Sequence, residues 1–427
     1  MLHNPNPYPI NQFYLFLLFL SRVYCSFYTF FDKGLFFIHI YYHFVIIDIE
    51  GGIMDSNKIN YKILISIILL SIISIVTIYS ALKYTSNSLG NLALKQTIWY
   101  IIGWFLVVAL IKLKNEYLYR NSWILYIIGN LSLLGLLLFA DPINNSKCWF
   151  VIPGIGSIQP SEFMKIFIMI TLATMIHNFR MKYDNPTMMD EFKFILSTLV
   201  IVLIPSILTF LQPDTGCVII YLIIYISMLF ISGIRFRWFL IGGILLFLLL
   251  GGIFGLYFFK ESIFIKTFGS SIYYRLDRIF NWSNGSGLQL ENALAAIGSA
   301  GLFGHGFNNT PIYFPEASTD FIFAVFASNF GLVGVIILLS IIIFLDINII
   351  LLASKGISDT AQYIISGIIG MLLFQQIQNI GMTIGLLPIM GITLPFISYG
   401  GSSLLSYMLL VGILLNISQK KKRTYKY

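Results

Sequence analysis

The chain has few charged residues, cysteines and histidines, and each shortage excludes a class of protein. Charged residues make up 10% of the 427 positions, whereas 58% are hydrophobic, which is untypical of a soluble protein. Cys25, Cys148 and Cys217 are too scattered for a disulfide framework or a C-x-x-C zinc pair, and the five histidines are equally dispersed. No G-x-x-x-x-G-K-[ST] sequence occurs, so a P-loop for ATP is excluded.

Long apolar runs are present instead, along most of the chain. A helix needs about 20 mostly apolar residues to cross a bilayer, and helices satisfy their own backbone where water is absent. The sequence therefore predicts an all-α polytopic membrane protein with about ten transmembrane helices. The predicted spans are 62–82, 95–112, 122–140, 161–179, 193–212, 214–232, 236–258, 320–345, 360–384 and 397–416.

The distribution of lysine and arginine predicts the orientation. With the chain near Asn57 in the cytoplasm, the inside segments contain sixteen of these residues and the outside segments contain seven. The positive-inside rule then places both termini in the cytoplasm and makes 418–427 a basic cytoplasmic tail. This bias accounts for the net charge of +8 without a nucleic-acid partner. Two outside loops, 141–160 and 259–319, are long enough to hold structure; the larger one separates spans seven and eight.

Residues 1–53 do not fit the pattern of the ten-span domain, 54–417. They are apolar and aromatic-rich, but Arg22 and Asp32 interrupt them, and they lack a basic start with a small-residue cleavage site. The sequence "EGGIM" ends in Met54, and Glu-Gly-Gly can be encoded by a purine-rich ribosome-binding sequence. We therefore expect Met54 to be the true start and 1–53 to be a mis-assigned leader; an extra N-terminal membrane anchor is the alternative.

Ionisable residues near the outer ends of spans are the candidates for function, because they are costly in a membrane. Glu162 and Lys165 open the fourth span three residues apart, so they share a helix face and are expected to pair. The pair either neutralises itself or contacts a ligand. Asp214 follows a proline in a tight turn and is best interpreted as a turn residue. Arg275 and Arg278 lie on a short amphipathic stretch and either anchor it at lipid headgroups or bind an anion.

Asp320 stands at the first apolar turn of the eighth predicted span. Local chemistry favours a carboxylate that caps this helix beside Thr319. The alternative is a carboxylate that performs chemistry at the outer membrane face. Near the C-terminus, 385–408 combines two prolines with a Gly-Gly-Ser-Ser run. Non-helical backbone is expected there, covered by protein or lining a polar cavity.

Five ordered motifs give the chain a family resemblance from about Ile63 to Ile417. On these motifs the sequence resembles the SEDS family, the shape, elongation, division and sporulation proteins. The motifs are "CWFVIPGIGSIQPSEFMKI", "LQPDTG", "ALAAIGSAGLFGHGF", "FPEASTDFIFAVFA" and "NIGMTIGLLPIMGITLPFISYGGSSLLSYM".

The resemblance implies a peptidoglycan glycosyltransferase that polymerises lipid II into undecaprenyl-linked glycan at the outer face of the cell membrane, together with a class B penicillin-binding protein. It implies that Asp320 is the catalytic aspartate. It also assigns Trp149, Glu162 and Lys165 to family motifs, and Met382 favours the RodA type. The family usually has an acidic pair where this chain has Ser328 and Asn329, and often a basic residue where it has Cys148.

A mechanism follows from the chemistry of such a substrate. Lipid II carries an α-linked diphosphate and the glycan is β-1,4-linked, so one inverting displacement is expected, with Asp320 as the base and positive charge at the leaving diphosphate. A helix N-terminus would favour the ionised form of that base. The cations available are Lys147, Lys165, Arg275 and Arg278, with a divalent cation as a further candidate. A lipid II flippase and a noncatalytic scaffold for the penicillin-binding protein are the alternative functions.

Overall fold

The computed structural model of the chain describes residues 59–81, 92–113, 115–142, 146–152, 156–270, 273, 277, 288–354 and 357–419. The leader predicted over 1–53, Arg275, Arg278 and all but two residues of the basic tail lie outside these residues. In the described part, helices dominate and a two-stranded antiparallel sheet, β1 (Phe150–Ile152) and β2 (Gly156–Ile158), lies between α4 and α5. The helices are α1 (Tyr61–Ala81), α2 (Leu92–Leu113), α3 (Asn115–Arg120), α4 (Ser122–Phe139), α5 (Pro160–Lys182), α6 (Met188–Leu211), α7 (Thr215–Ile231), α8 (Arg237–Phe259), α9 (Glu261–Phe268), α10 (Leu288–Gly298), α11 (Ile322–Ser354), α12 (Asp359–Thr383) and α13 (Gly401–Ser418).

The predicted all-α architecture is confirmed, and each predicted span coincides with one helix. Within the described residues, nine helices are long and apolar enough to cross a membrane. The sixth predicted span corresponds to α7, which has 17 residues and so lies at the short end of the range for a spanning helix. The predicted structure in the two large loops is also present, as the β1–β2 hairpin and as α9 and α10.

The centre of the bundle is formed by α5, α12 and α13, whereas α8 has no buried residue in its apolar window. Small residues allow the central helices to approach closely. A Cβ added at Gly370 of α12 would lie 2.1 Å from Ser227 Oγ of α7, so only glycine fits this contact. The apolar surface of α8 has the composition expected of a helix that faces lipid.

Helix α11 differs from the predicted eighth span, because it is broken at Gly331. This residue has φ 63° and ψ −163°, which is not helical. The break frees backbone groups, and the loop 301–306 satisfies them. His305 N donates to Ser328 O (2.9 Å), and Leu332 N donates to Gly301 O (3.1 Å). A Cβ at Gly331 would lie 2.3 Å from Gly304 N, so the junction requires glycine.

The chain doubles back at this break. Asn379 of α12 donates to the backbone carbonyl of Asp320, and Gln376, one turn away, donates to the side chain of Asp346. A continuous helix from Asp320 to Asp346 would be roughly 39 Å long, yet α12 contacts both residues within about 5 Å of helix rise. Residues 322–330 therefore form a short arm that runs in the opposite direction to the rest of α11. The spanning part of α11 begins after Gly331.

The spanning part of α11 runs antiparallel to α1. Asn329, next to the break, donates from Nδ2 to Ser80 Oγ in the last turn of α1. Farther along, Leu345 and Ile349 pack around one small void with Ile63 and Ile67 near the start of α1. The prediction that Asp320 begins the eighth span is therefore wrong in one respect. Asp320 precedes the short arm, and the span itself starts about ten residues later.

Between α12 and α13, residues 384–400 are non-helical, as predicted for part of 385–408; from Gly401 onward the chain is helical. Side chains of α1 and α2 satisfy this irregular backbone. Ser74 Oγ donates to Ile397 O (2.8 Å), Gln96 Nε2 donates to Ser398 O (3.3 Å), and Tyr100 OH donates to Phe396 O. The irregular segment is thus covered by protein.

Candidate active site

Asp320 lies in a turn outside the candidate spans, between Glu316 and the short arm 322–330. The residue is half-buried, and its carboxylate accepts no hydrogen bond from the described residues. Gly391 of the 384–400 segment faces this carboxylate, because a Cβ added at Gly391 would lie 3.6 Å from Asp320 Oδ2. The carboxylate is therefore sheltered by backbone, but no described residue donates a hydrogen bond to it.

The structure does not support the capping interpretation of Asp320. The turn is closed by backbone bonds instead, from Phe321 N to Glu316 O (3.1 Å) and from Ala324 N to Phe321 O (3.0 Å). No N–H of the first turn donates to the carboxylate, so the hydrogen bond expected of a cap is not formed.

The protonation of Asp320 is set by its surroundings. Burial, followed by the negative charge of Glu316, raises the pKa of the Asp320 carboxyl to about 7. Glu316 is exposed, has φ 54°, and accepts a hydrogen bond from Thr319 Oγ1 at 2.7 Å. A carboxyl group with a pKa near neutrality has the property required of a general base at physiological pH.

The backbone of residues 318–320, the aspartate turn, is held by three donors from the neighbouring segments. Tyr399 N donates to Ser318 O (2.8 Å), and Ser398 Oγ donates to Thr319 O (2.7 Å). Asn379 Nδ2 donates to Asp320 O (2.8 Å). Three consecutive carbonyl groups are therefore anchored, while the carboxylate next to them accepts no hydrogen bond from the part of the chain that the structure describes.

Glu162 and Lys165 form the pair that their spacing predicts, with 2.5 Å between Nζ and Oε2. Both are buried inside the bundle, and Lys165 is 1% exposed. Ser406 Oγ donates to Glu162 Oε2 (3.3 Å), and the ammonium of Lys165 lies 5.4 Å from the ring centre of Tyr407. The pair joins α5 to α13 and does not open to the surface in this structure.

The residues around the predicted tryptophan motif lie near the end of α4. Lys147 is half-buried and donates to Leu137 O (3.3 Å), and Trp149 is also half-buried. Cys148, where the family often has a basic residue, is buried and donates to Gln212 O (2.9 Å). Among the described residues, no hydrogen bond or ion pair joins Lys147 or Trp149 to Asp320; Arg275 and Arg278 lie outside them.

Asp214 has the structural role expected of it. Its Oδ1 accepts from Cys217 N (3.0 Å), which caps α7. Its Oδ2 accepts from Gln159 Nε2 (2.8 Å) and Ser161 Oγ (3.2 Å). The Gln159 backbone N in turn donates to Ser402 Oγ (2.9 Å). Asp214 therefore ties three of the sequence motifs together at one end of the bundle.

Ser328 and Asn329 stand where the family usually has an acidic pair, and both are fully buried. Asn329 accepts from Thr310 Oγ1 (2.9 Å) and donates to Ser80, whereas an ionised carboxylate can only accept. Ser328 contacts the ring Nδ1 of His305 at 3.3 Å. The neutral pair therefore fits its site without burying charge.

Two polar groups were missed by the sequence reasoning. Asp346 is buried inside α11, but the predicted span ended one residue before it. Asn379 belongs to "QQIQN" (375–379), a run of amides within a span, and such a run is a signal that could have been used. Within the described residues, no group of three or more His, Cys, Asp or Glu side chains converges on a metal site. The divalent cation considered from sequence stays a prediction.

Similarity to known proteins covers most of the chain. A family profile described as cell cycle protein, FtsW/RodA/SpoVE, matches residues 61–423. The probable peptidoglycan glycosyltransferase FtsW of Lactococcus lactis is 30% identical over 86% of this chain and 94% of its own length. Stage V sporulation protein E of Bacillus subtilis is 32% identical over 86% of this chain and 99% of its own length.

Two solved structures have a similar fold. The first, described as showing coordination of polymerization and crosslinking by a peptidoglycan synthase complex, is 25% identical with a TM-score of 0.68, and the match covers 84% of this chain and 97% of that one. The second is the rod shape determining protein RodA of Thermus thermophilus, 24% identical with a TM-score of 0.61, covering 84% and 96%.

Proposed function

This chain belongs to the FtsW/RodA/SpoVE family of multi-pass bacterial membrane proteins, and we propose that it is a peptidoglycan glycosyltransferase that polymerises lipid II. The observation that carries the proposal is the Asp320 carboxylate, which is sheltered, free of hydrogen bonds from the described residues, and has a pKa of about 7. The names of the curated FtsW relatives support the reaction class.

Asp320 acts as the base in the proposed reaction. The ionised carboxylate takes the proton from the 4-hydroxyl of the acceptor sugar, the oxygen attacks the anomeric carbon of the donor, and the diphosphate leaves with its electron pair. This displacement inverts the α-linkage of the donor into the β-1,4 linkage of the glycan. Because the activated diphosphate supplies the driving force, the reaction needs no ATP, in agreement with the absence of a P-loop sequence.

Positive charge is required where the diphosphate departs. Lys165 is engaged with Glu162 and buried, so it would have to leave its partner to reach a substrate. Lys147 is half-buried and donates one hydrogen bond to a backbone carbonyl. The other hydrogens of its ammonium group are available to a phosphate oxygen. We therefore assign the diphosphate contact first to Lys147, Arg275 and Arg278. Glu162 and Lys165 support the site by joining its helices.

The proposal includes a partner and a cellular process. A class B penicillin-binding protein would crosslink the strands, and the similar structure of a complex for polymerization and crosslinking supports such an arrangement. "NIGMTIGLLP", with Met382, favours the elongation type, whereas the relatives at 30–34% identity are mostly named FtsW. Expression in strains depleted of either the elongation or the division protein, scored by recovery of rod shape or of septation, decides between them.

The test is a polymerisation assay with purified protein, its penicillin-binding partner and lipid II in detergent. Native protein should form glycan polymer. Asp320→Asn should reduce the rate by roughly 10²–10⁴-fold, because the base is lost. Partner binding and protein level should persist. A flippase would yield no polymer in detergent, and a scaffold would leave growth unaffected by Asp320→Asn. An active Asp320→Asn protein would reject the base assignment.

A further inference from the structure

Asn379 has an unusual position for an amide in a spanning helix. Its side chain is fully buried, and its Nδ2 donates to both Asp320 O (2.8 Å) and Ile392 O (2.7 Å). Because both neighbours are carbonyl groups, which only accept, the nitrogen must be the atom that faces them. One amide group thus bridges the backbone of the aspartate turn to the segment that lies against its carboxylate.

The bridge brings together the two backbone elements that define the surroundings of Asp320. Ile392 follows Gly391, which is the residue that faces Asp320 Oδ2. Asn379 therefore fixes the distance between the aspartate turn and the backbone beside its carboxylate. Ser398 and Tyr399 anchor the two preceding carbonyl groups from the same 384–400 segment.

We propose that Asn379 is a positioning residue for the reaction, which holds the Asp320 backbone so that the carboxylate faces the acceptor hydroxyl. This inference rests on the proposed function of Asp320. Asn379 does not touch the substrate. It acts through the main chain, by using both hydrogens of one amide group to fix Asp320 and Ile392 to α12.

The physical reason for requiring this residue is that its amide nitrogen carries two donor hydrogens, one for each carbonyl group. Leucine has the same number and branching of side-chain heavy atoms but offers no hydrogen to either carbonyl, so both acceptors would lose the bond from Asn379 while buried. The aspartate turn would then move away from α12. A displacement of about 1 Å at a reacting group can lower a rate by about 100-fold.

The experiment compares Asn379→Leu with a matched control, Asn416→Leu. Asn416 is buried near the C-terminal end of α13 and likewise donates from Nδ2 to two backbone carbonyl groups, Leu110 O (3.0 Å) and Ile111 O (3.1 Å), both of which belong to α2. The steady-state kcat and KM for lipid II and the thermal unfolding midpoint are measured for each variant. We expect Asn379→Leu to lower kcat by about 100-fold with KM within about twofold. Asn416→Leu should keep kcat, although both variants unfold at a lower temperature.

Equal kcat in the two variants, or a loss of kcat that follows the unfolding midpoint in both, would overturn the proposal. Asp320→Asn is assayed in parallel, so that the two ideas can fail separately. An active Asp320→Asn protein refutes the base assignment. An inactive Asp320→Asn protein with a normal Asn379→Leu protein refutes only the positioning role.

A milder variant covers the case in which Asn379→Leu does not fold. Ser398→Ala removes the bond to Thr319 O and the bond that Ser398 Oγ accepts from Leu394 N (2.8 Å), and it leaves both Asn379 bonds in place. It should lower kcat relative to the native protein by less than about 100-fold, again without raising KM. Unchanged kcat in Ser398→Ala, with Asn379→Leu unfolded, would count against anchoring of this turn as a determinant of rate.

Discussion

Glu162 and Asp320 are both carboxylates that the family resemblance singles out, but their surroundings are opposite. Glu162 is buried, bonded to Lys165 at 2.5 Å and to Ser406, and links two helices. Asp320 is half-buried and its carboxylate has no hydrogen bond within the described residues, although its main chain is firmly anchored. A carboxylate in a family motif can thus serve either role, and only its contacts distinguish an acid that stabilises the fold from one that is available for chemistry.

The largest expected difference concerns stability. Glu162→Gln leaves the Lys165 ammonium buried without its counter-charge, so we expect a loss of roughly 3–5 kcal/mol in unfolding free energy. Asp320→Asn should leave stability unchanged or raise it. The raised pKa of Asp320 means that folding disfavours its ionised form, and the amide removes that cost. Thermal unfolding in detergent at pH 8 measures the stability of both variants. A greater loss of stability for Asp320→Asn than for Glu162→Gln would contradict this prediction.

A second change sharpens the role of the buried pair. Replacing both members, as Glu162→Gln with Lys165→Met, removes the stranded charge and should recover roughly 0.5–3 kcal/mol relative to Glu162→Gln alone. A double-mutant cycle gives this coupling free energy. If the double variant is stable but its KM for lipid II rises strongly, then Lys165 contacts the substrate as well as Glu162.

The smallest expected effect is a shift in pH dependence. Because a base must be ionised, the polymerisation rate should fall as pH decreases through about 7, the raised pKa of Asp320. Glu316→Gln removes the like charge that contributes to this raised pKa, so the midpoint should move to lower pH. A rate profile between pH 5.5 and 8.5 checks both expectations. Asn416→Leu, which changes no charge, serves as the control, since the midpoint of its rate profile should equal that of the native protein.

Much of the fold could be predicted because spanning helices are specified by local composition. The ten apolar runs became helices, and the run of prolines and glycines after α12 became irregular backbone. The break in α11 escaped prediction because "FASNFGLVGV" is apolar and helix-compatible on both sides of Gly331. Its cause is the close approach of Gly304 from a distant loop, which sequence periodicity does not report.

Only part of the candidate site could be predicted, because contacts between distant segments are not visible in sequence periodicity. The Glu162–Lys165 pair is a spacing of three on one helix, so its formation followed from helix geometry. Its burial did not, because burial depends on α13 and the position of Ser406. Asn379 was not predicted as a site residue, because its role depends on a hydrogen bond to Asp320, which lies in another part of the chain.

The sequence by itself determined the membrane class, the ten helices and the family, because hydropathy and ordered motifs are local properties of the chain. Tertiary structure alone decided that the chain reverses at Gly331 and that Lys165 is paired with Glu162. It also decided that the main chain of Asp320 is anchored, while no described residue donates a hydrogen bond to its carboxylate. These properties depend on contacts between polar groups from distant segments of the chain. Such contacts determine how far a carboxylate is desolvated and which hydrogen-bond partners are available to it.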